Sequence, residues 1–115
     1  DNLHLAGMHA DSGRFAGEDV TVSGGKAAKA DGTIVGSVET MDQHFRNTMR
    51  FLGISISTAF RLCSTNPARV AGASNRKGQV ERGMDADLVL LDGVLQVQKT
   101  VCRGEIAFDR RNQTT

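Results

Sequence analysis

The side chains best suited to chemistry in this 115-residue chain are three histidines and two cysteines. A metal site needs ligands that converge, and a zinc or redox motif announces itself through close cysteine spacing. Cys63 and Cys102 lie far apart, so they read as two buried free thiols in a reducing cytoplasm rather than as a disulfide. His4 and His9 fall in a stretch with no sustained period and read as loop histidines in preference to the remnant of a metal site. His44, next to Phe45, reads as a surface or rim residue of a helix. Asp109-Arg110-Arg111-Asn112-Gln113, the nearest thing to a basic run, reads as a frayed polar tail rather than a binding patch. No metal ligand is assigned within the chain.

The scaffold for these residues is globular in composition, with 39% hydrophobic and 23% charged residues, and its length allows one core. That core is thin. Five Phe, no Trp, no Tyr and 13 Gly give little bulk to bury and much backbone entropy to lose, which points to partners outside the chain. The formal charge of +1 is scattered, so neither a nucleic acid nor a membrane surface is expected as a partner. No stretch approaches the roughly 20 apolar residues of a membrane span. The acidic start at Asp1 is unlike a signal peptide, and a chain opening on Asp1 and running into Leu3, Leu5 and Met8 reads as a piece of something longer.

Local signals order the elements. Residues 1–18 have turn points but no period and are expected to be mostly loop. Val20-Thr21-Val22-Ser23 alternates like a strand, Gly24-Gly25 supplies a tight turn, residues 26–30 return, and Asp31-Gly32 turns again. Met41, Phe45, Met49 and Leu52 recur at helical spacing, with Thr40 and Gln43 as a capping box and Gly53 as the stop. Ser57 is placed to cap a second helix through Ala59, Phe60, Leu62 and Cys63. Asn66, followed by Pro67 at the first helical position, is placed to cap a third that ends at Gly72. Beyond it the period becomes that of sheet: a short strand at Gly78-Gln79-Val80, a turn at Gly83, an apolar strand over residues 86–91, and a hairpin of 97–102 with 105–108 around Arg103-Gly104. The 86–91 strand needs cover on both faces, which the rest of the chain cannot supply.

These segments, DGTIVGSVETMDQHFRNTMRFLGISISTAFRLCSTNPARVAG and then KGQVERGMDADLVLLD, resemble the amidohydrolase superfamily and more narrowly the N-acetylglucosamine-6-phosphate deacetylase family. Asn66-Pro67-Ala68 and the Gly-x-Asp-Ala-Asp-Leu-Val element occur across many amidohydrolases. The Gly-Thr-x-x-Gly-Ser turn leading into Thr-Met-Asp is particular to the deacetylases. The resemblance implies an α/β fold comprising the C-terminal end of a metal-dependent hydrolase (β/α)8 barrel and the C-terminal strands of a small β-sandwich domain. Residues 1–72 would be the end of the barrel, with its post-strand-8 loop, hairpin and last helices, and residues 73–115 the sandwich strands and polar tail.

The same resemblance implies a site. Asp1 takes the place of the family's catalytic aspartate, which accepts a proton from a metal-bound water and passes it to the leaving amine. Alanine usually follows that aspartate in the family; here Asn2 does. Ile34, Val35 and Gly36 occupy the turn that contacts the sugar phosphate. The divalent metal, zinc or similar, is held in the family by a glutamate and two histidines from earlier strands, and none of His4, His9 and His44 matches them. The expectation is therefore the C-terminal part of a cytoplasmic deacetylase that hydrolyses the acetamide to glucosamine 6-phosphate and acetate. It would be inactive as 115 residues alone, would need its N-terminal part, and would be a homo-oligomer when complete. Two other readings stand beside it: a non-catalytic binding or assembly module that reuses an amidohydrolase tail, and another amidohydrolase such as a dihydroorotase.

Overall fold

The first sheet turns wherever two successive residues can take positive φ. A computed structural model describes residues 2–112, and contacts divide the chain into two units, Asp1–His44 and Phe45–Thr115. In the first unit, strands β1 (Ser12–Phe15), β2 (Glu18–Ser23), β3 (Lys26–Ala28) and β4 (Ile34–Ser37) form an antiparallel sheet in that order. Ala16-Gly17 at φ 51° and 85°, and Gly24-Gly25 at 56° and 77°, close the first two hairpins. Two positive φ values in a two-residue loop match the right-handed twist of the strands they join.

Strand β1 lies within residues 1–18, which the sequence presents as mostly loop. It forms because β2 offers a partner, with Phe15 opposite Glu18 and Ser12 opposite Thr21. Strand pairing here supplies what local alternation does not. Beneath the sheet Leu3, Leu5, Val20 and Ala27 are buried, with Val22, Val35 and Val38 packed on them. This small core ties the N-terminal segment to the sheet. Asn2 also forms a parallel bridge with Ser37, and the Leu3 amide donates to the Ser37 carbonyl at 2.9 Å.

Helix α1 (Met41–Leu52) runs where its apolar period places it. The Thr40 carbonyl accepts from the His44 amide at 3.0 Å, which puts Thr40 at the cap position, and the Gly53 amide donates to Met49 at the other end. No residue of α1 is buried, and Met41 and Leu52 are 63% and 62% exposed. Phe45 and Met49 of the same stripe are half-buried, so among the described residues the apolar face is covered at its centre and open at its two ends.

In the second unit, α2 (Ile56–Phe60), a π-helical stretch (Arg61–Thr65) and α3 (Asn66–Val70) form one unbroken helical run. Two expected caps are corrected here. Ser55 rather than Ser57 caps α2, its hydroxyl accepting from the Thr58 amide at 3.3 Å. Asn66 caps nothing: it is itself helical, with its amide donating five residues back to the Arg61 carbonyl. The wide turn explains both Asn66 and Pro67. Pro67 has no N–H to give and its ring crowds the preceding turn, so a π stretch accommodates it without ending the helix. Gly72, at φ 68°, ends the run as expected.

Strands β5 (Leu88–Leu91), β6 (Val97–Cys102) and β7 (Glu105–Asp109) make a second antiparallel sheet, and Arg103-Gly104 at φ 51° and 87° turn its hairpin. Val89 and Leu90 are 59% and 45% exposed, so the apolar strand lacks the cover its composition calls for. Gly78-Gln79-Val80 is not a strand. Thr65 donates its hydroxyl to the Gly78 carbonyl at 2.8 Å and holds that segment as an irregular loop. The basic run is not frayed over its described part either: Asp109 closes β7, and Arg110–Asn112 form a 3-10 turn. Both cysteines are free, but neither is buried: Cys63 is half-buried, which raises its thiol pKa, and Cys102 is exposed. Among the described residues no helix is long and apolar enough to cross a membrane. The architecture is thus a mixture of sheets and helices, in keeping with the α/β class.

Candidate functional site

Asp1, the candidate proton carrier, lies outside the described residues. Its neighbour Asn2 does not, and Asn2 pairs with Ser37, the residue that follows Gly36. The chain after Asp1 therefore runs alongside the strand that carries Ile34, Val35 and Gly36.

That strand is bent at the place where substrate contact is expected. Ala27 pairs with Gly36, but Ala28 pairs with Ile34, so Val35 is an extra residue on β4 with no partner opposite it. A bulge of this kind kinks a strand and re-aims its side chains. Val35 turns into the small core, while Ile34 is 59% exposed. The turn before it is set by Asp31, whose carboxylate accepts from the Thr33 amide at 2.9 Å. That bond holds the Asp31 carboxyl below its ordinary pKa, since only the ionised form accepts fully.

Around Asn2 is a polar cluster with no local sequence signal. The Asn2 amide nitrogen donates to the Glu39 carbonyl at 2.6 Å, and its Oδ1 lies 3.3 Å from His44 Nε2. On the other side of the ring, His44 Nδ1 lies 3.9 Å from Glu39 Oε2. The Glu39 amide in turn donates to the Ser37 hydroxyl at 3.2 Å, and that hydroxyl donates to the Gly25 carbonyl at 3.3 Å. Three separate pieces of chain, the segment after Asp1, the end of β4 and the first turn of α1, are joined by these bonds. From the sequence His44 reads only as a rim residue, because 42 positions separate it from Asn2.

His4 and His9 are both exposed, and His9 takes φ 47°. Neither joins the Asn2 cluster through any described bond. Among the described residues there is no group of three or more His, Cys, Asp or Glu side chains able to hold a metal ion.

The aspartates of the Asp-Ala-Asp motif serve a structural end. Lys77 binds both Asp85, at 2.9 Å, and Asp87, while Arg76 reaches Asp85 at 3.0 Å. Asp87 also accepts from the Arg103 amide at 2.8 Å, so the motif fastens the 73–87 loop to the β6–β7 turn. Lys77, first among the causes, lowers the pKa of both carboxyls.

Residues 6–112 match the model of the amidohydrolase family, described as "Amidohydrolase family". With nearly the whole chain matched, it belongs to that family. Within it the similarity is to the deacetylases of amino-sugar phosphates. The chain is 37% identical over 108 residues to the N-acetylglucosamine-6-phosphate deacetylase of Bacillus subtilis, covering 94% of this chain and 27% of that one. It is 32% identical over 107 residues to the N-acetylgalactosamine-6-phosphate deacetylase of Escherichia coli O157:H7, covering 93% and 28%. The crystal structure of the Pasteurella multocida N-acetylglucosamine-6-phosphate deacetylase superposes with a TM-score of 0.85 at 31% identity, over 92% of this chain and 28% of that chain. The chain thus spans between a quarter and a third of the length of these relatives.

Proposed function

We propose that this chain is the C-terminal part of an N-acetylglucosamine-6-phosphate deacetylase, residues 1–72 closing a (β/α)8 barrel and residues 73–115 adding strands to a small β-sandwich. The whole enzyme would hydrolyse the acetamide of the sugar phosphate to glucosamine 6-phosphate and acetate. The single observation that carries this reading is the 37% identity along 94% of the chain. Exposed apolar surface on α1 and β5 supports it, because both faces ask for the rest of a larger protein.

In this reading Asp1 is the proton carrier. Its carboxylate takes a proton from the attacking water and delivers it to the amine as the amide bond breaks, acting first as base and then as acid. Ile34, Val35 and Gly36 contact the sugar phosphate through their backbone groups, the Val35 side chain packing into the small core, and the bulge at Val35 sets the angle at which that backbone meets the ligand. The divalent metal of the family, zinc or similar, does not fit the described residues, and its ligands are assigned to the part of the relatives that this chain does not span. Further partners in this reading are the N-terminal part and a second copy of the enzyme, with no nucleic acid and no membrane. A phosphorylated substrate and two free cysteines fit a cytoplasmic setting.

Acetate release from N-acetylglucosamine 6-phosphate is the test. The enzyme that carries this chain should turn the substrate over, and Asp1→Asn should lower kcat about 100- to 10,000-fold, the range for loss of a positioned acid–base group. The 115-residue chain alone should release no acetate. Unchanged turnover in Asp1→Asn would remove Asp1 from the mechanism, and metal-dependent turnover by the isolated chain would overturn the division of labour.

A further inference from the structure

We infer that His44 is a positioning residue: with Asn2 it forms a clamp that fixes the backbone next to Asp1 against β4, and so sets where the Asp1 carboxylate can act. The inference rests on the deacetylase reading of Asp1 given above.

The hydrogen-bond logic fixes the direction of each bond. The Glu39 backbone carbonyl can only accept, so the group facing it must be the NH2 of the Asn2 amide, at 2.6 Å. Oδ1 of Asn2 then faces His44 Nε2, which must carry the proton of that 3.3 Å contact. In the neutral ring Nδ1 is left as the acceptor, and when it is protonated it meets the Glu39 carboxylate at 3.9 Å. Both ring states keep the Nε2 proton on Asn2. The clamp therefore holds whether or not His44 is charged.

Geometry shows what the clamp controls. Asn2 is exposed and adds nothing to the apolar core, so packing does not hold its side chain. Its backbone bridges to Ser37, and the next residue, Leu3, donates its amide to the Ser37 carbonyl. The Asn2 side chain adds bonds to two further points, Glu39 in the link between β4 and α1 and His44 in the first turn of α1. Asp1 is one peptide bond away, and adjacent Cα atoms are only about 3.8 Å apart. Release of the Asn2 side chain would free the backbone next to Asp1 to shift, and a misplacement of about 1 Å of a reacting group can cost on the order of 100-fold in rate. Alanine at position 2 makes neither side-chain bond, and alanine at position 44 removes the bond to Asn2 Oδ1 while leaving the one to the Glu39 carbonyl.

The test is steady-state acetate release by the complete enzyme carrying this chain, with unfolding midpoints measured alongside. His44→Ala should lower kcat about 10- to 100-fold with KM unchanged within about twofold, because the strand that carries Ile34, Val35 and Gly36 is untouched. Asn2→Ala, which removes both bonds, should lower kcat at least as much, and the double variant should be no worse than Asn2→Ala alone, since the His44 bond is made to Asn2. His44→Gln, whose amide NH2 can still donate to Asn2 Oδ1, should recover kcat to within about fivefold of the parent. Should His44→Ala fold poorly, Asn2→Ala carries the same expectation from an exposed position. Additive losses, a rise in KM in place of a fall in kcat, or no recovery by His44→Gln would overturn the clamp. If the parent is active and Asp1→Asn is inactive while both clamp variants are indifferent, the clamp alone is lost. An inactive parent sinks the deacetylase reading and the clamp with it.

Discussion

A Cβ placed on Gly78 would stand 2.6 Å from the Cβ of Ala68, while the Gly78 carbonyl accepts the Thr65 hydroxyl at 2.8 Å. The loop after α3 therefore lies directly on the helical run that precedes it, at a spacing only glycine permits. Gly78 also has φ 92°, so alanine there meets both a clash and a strained backbone. Gly78→Ala should destabilise by about 1–3 kcal/mol, and Thr65→Val by about 1 kcal/mol for the lost bond. Urea unfolding midpoints read both, and a neutral Gly78→Ala would show that the loop lifts off without cost.

Gly13 and Leu5 make the matching contact in the first unit. A Cβ on Gly13 would fall 2.7 Å from Leu5 Cδ1, and Leu5 is only 7% exposed, so it has little room to retreat. Gly13→Ala should cost about 1–3 kcal/mol. Shortening the neighbour should restore part of that loss, so Gly13→Ala with Leu5→Val should be more stable than the sum of the single changes. The double-mutant cycle reads this coupling, and strict additivity would place the two residues out of contact.

What the sequence discloses of this fold is what lies within one turn or one helical repeat. The Gly24-Gly25 and Arg103-Gly104 turns and helix α1 are all stated by residues that touch or lie a turn apart. Strand β1 was not visible because Ser12-Gly13-Arg14-Phe15 has no alternation and depends on pairing with β2. Asn66-Pro67 looks like a helix start in any window of five residues; only the π stretch before it, with its bond from Asn66 back to Arg61, makes the run continuous. The cysteines looked buried because small thiols usually are, whereas here the chain leaves Cys102 exposed. At the candidate site, Ile34, Val35 and Gly36 were legible through family resemblance, but the Asn2 cluster was not. A contact that spans 42 residues and is made by side chains has no period to announce it.

Acid sensitivity should centre on Asp109. Its carboxylate is 7% exposed and bonded to Arg111 at 3.1 Å and to Lys99 at 2.7 Å. Arg111, the larger cause, and then Lys99 hold its pKa well below the usual carboxylate range. A folded pKa below the unfolded one means that the folded state binds the proton less readily. The stability this contributes is present above the unfolded value of about 4 and is lost as pH falls below it toward the folded value. Asp109→Asn should lower stability at pH 7 and flatten its dependence on pH below about 4. Denaturant midpoints at pH 7, 5, 4 and 3 read the slope, and parallel profiles for the parent and the variant would exclude Asp109 as the source.

Gly24 and Gly25 occupy one turn, yet substitution should separate them sharply. Both have positive φ, 56° and 77°, but a Cβ on Gly24 meets nothing within 4 Å, whereas one on Gly25 would lie 2.5 Å from Glu39 Oε1. Asparagine tolerates the left-handed region and is favoured first in a two-residue hairpin turn. Gly24→Asn should therefore be neutral or stabilising by about 0.5 kcal/mol, through a less flexible unfolded chain. Gly25→Ala should destabilise by about 1 kcal/mol or more, since alanine is strained at that φ whatever the space. It should also push the Glu39 side chain away from His44 Nδ1, leaving the Nε2 bond to Asn2 in place. In the complete enzyme that loss of stability should come with a fall in kcat smaller than that of His44→Ala, because the Nε2 bond still holds Asn2. Thermal unfolding and acetate release on the two glycine variants check the pair of expectations, and a Gly24→Asn as damaging as Gly25→Ala would show that the turn is limited by its backbone alone and not by the side chain lying over it.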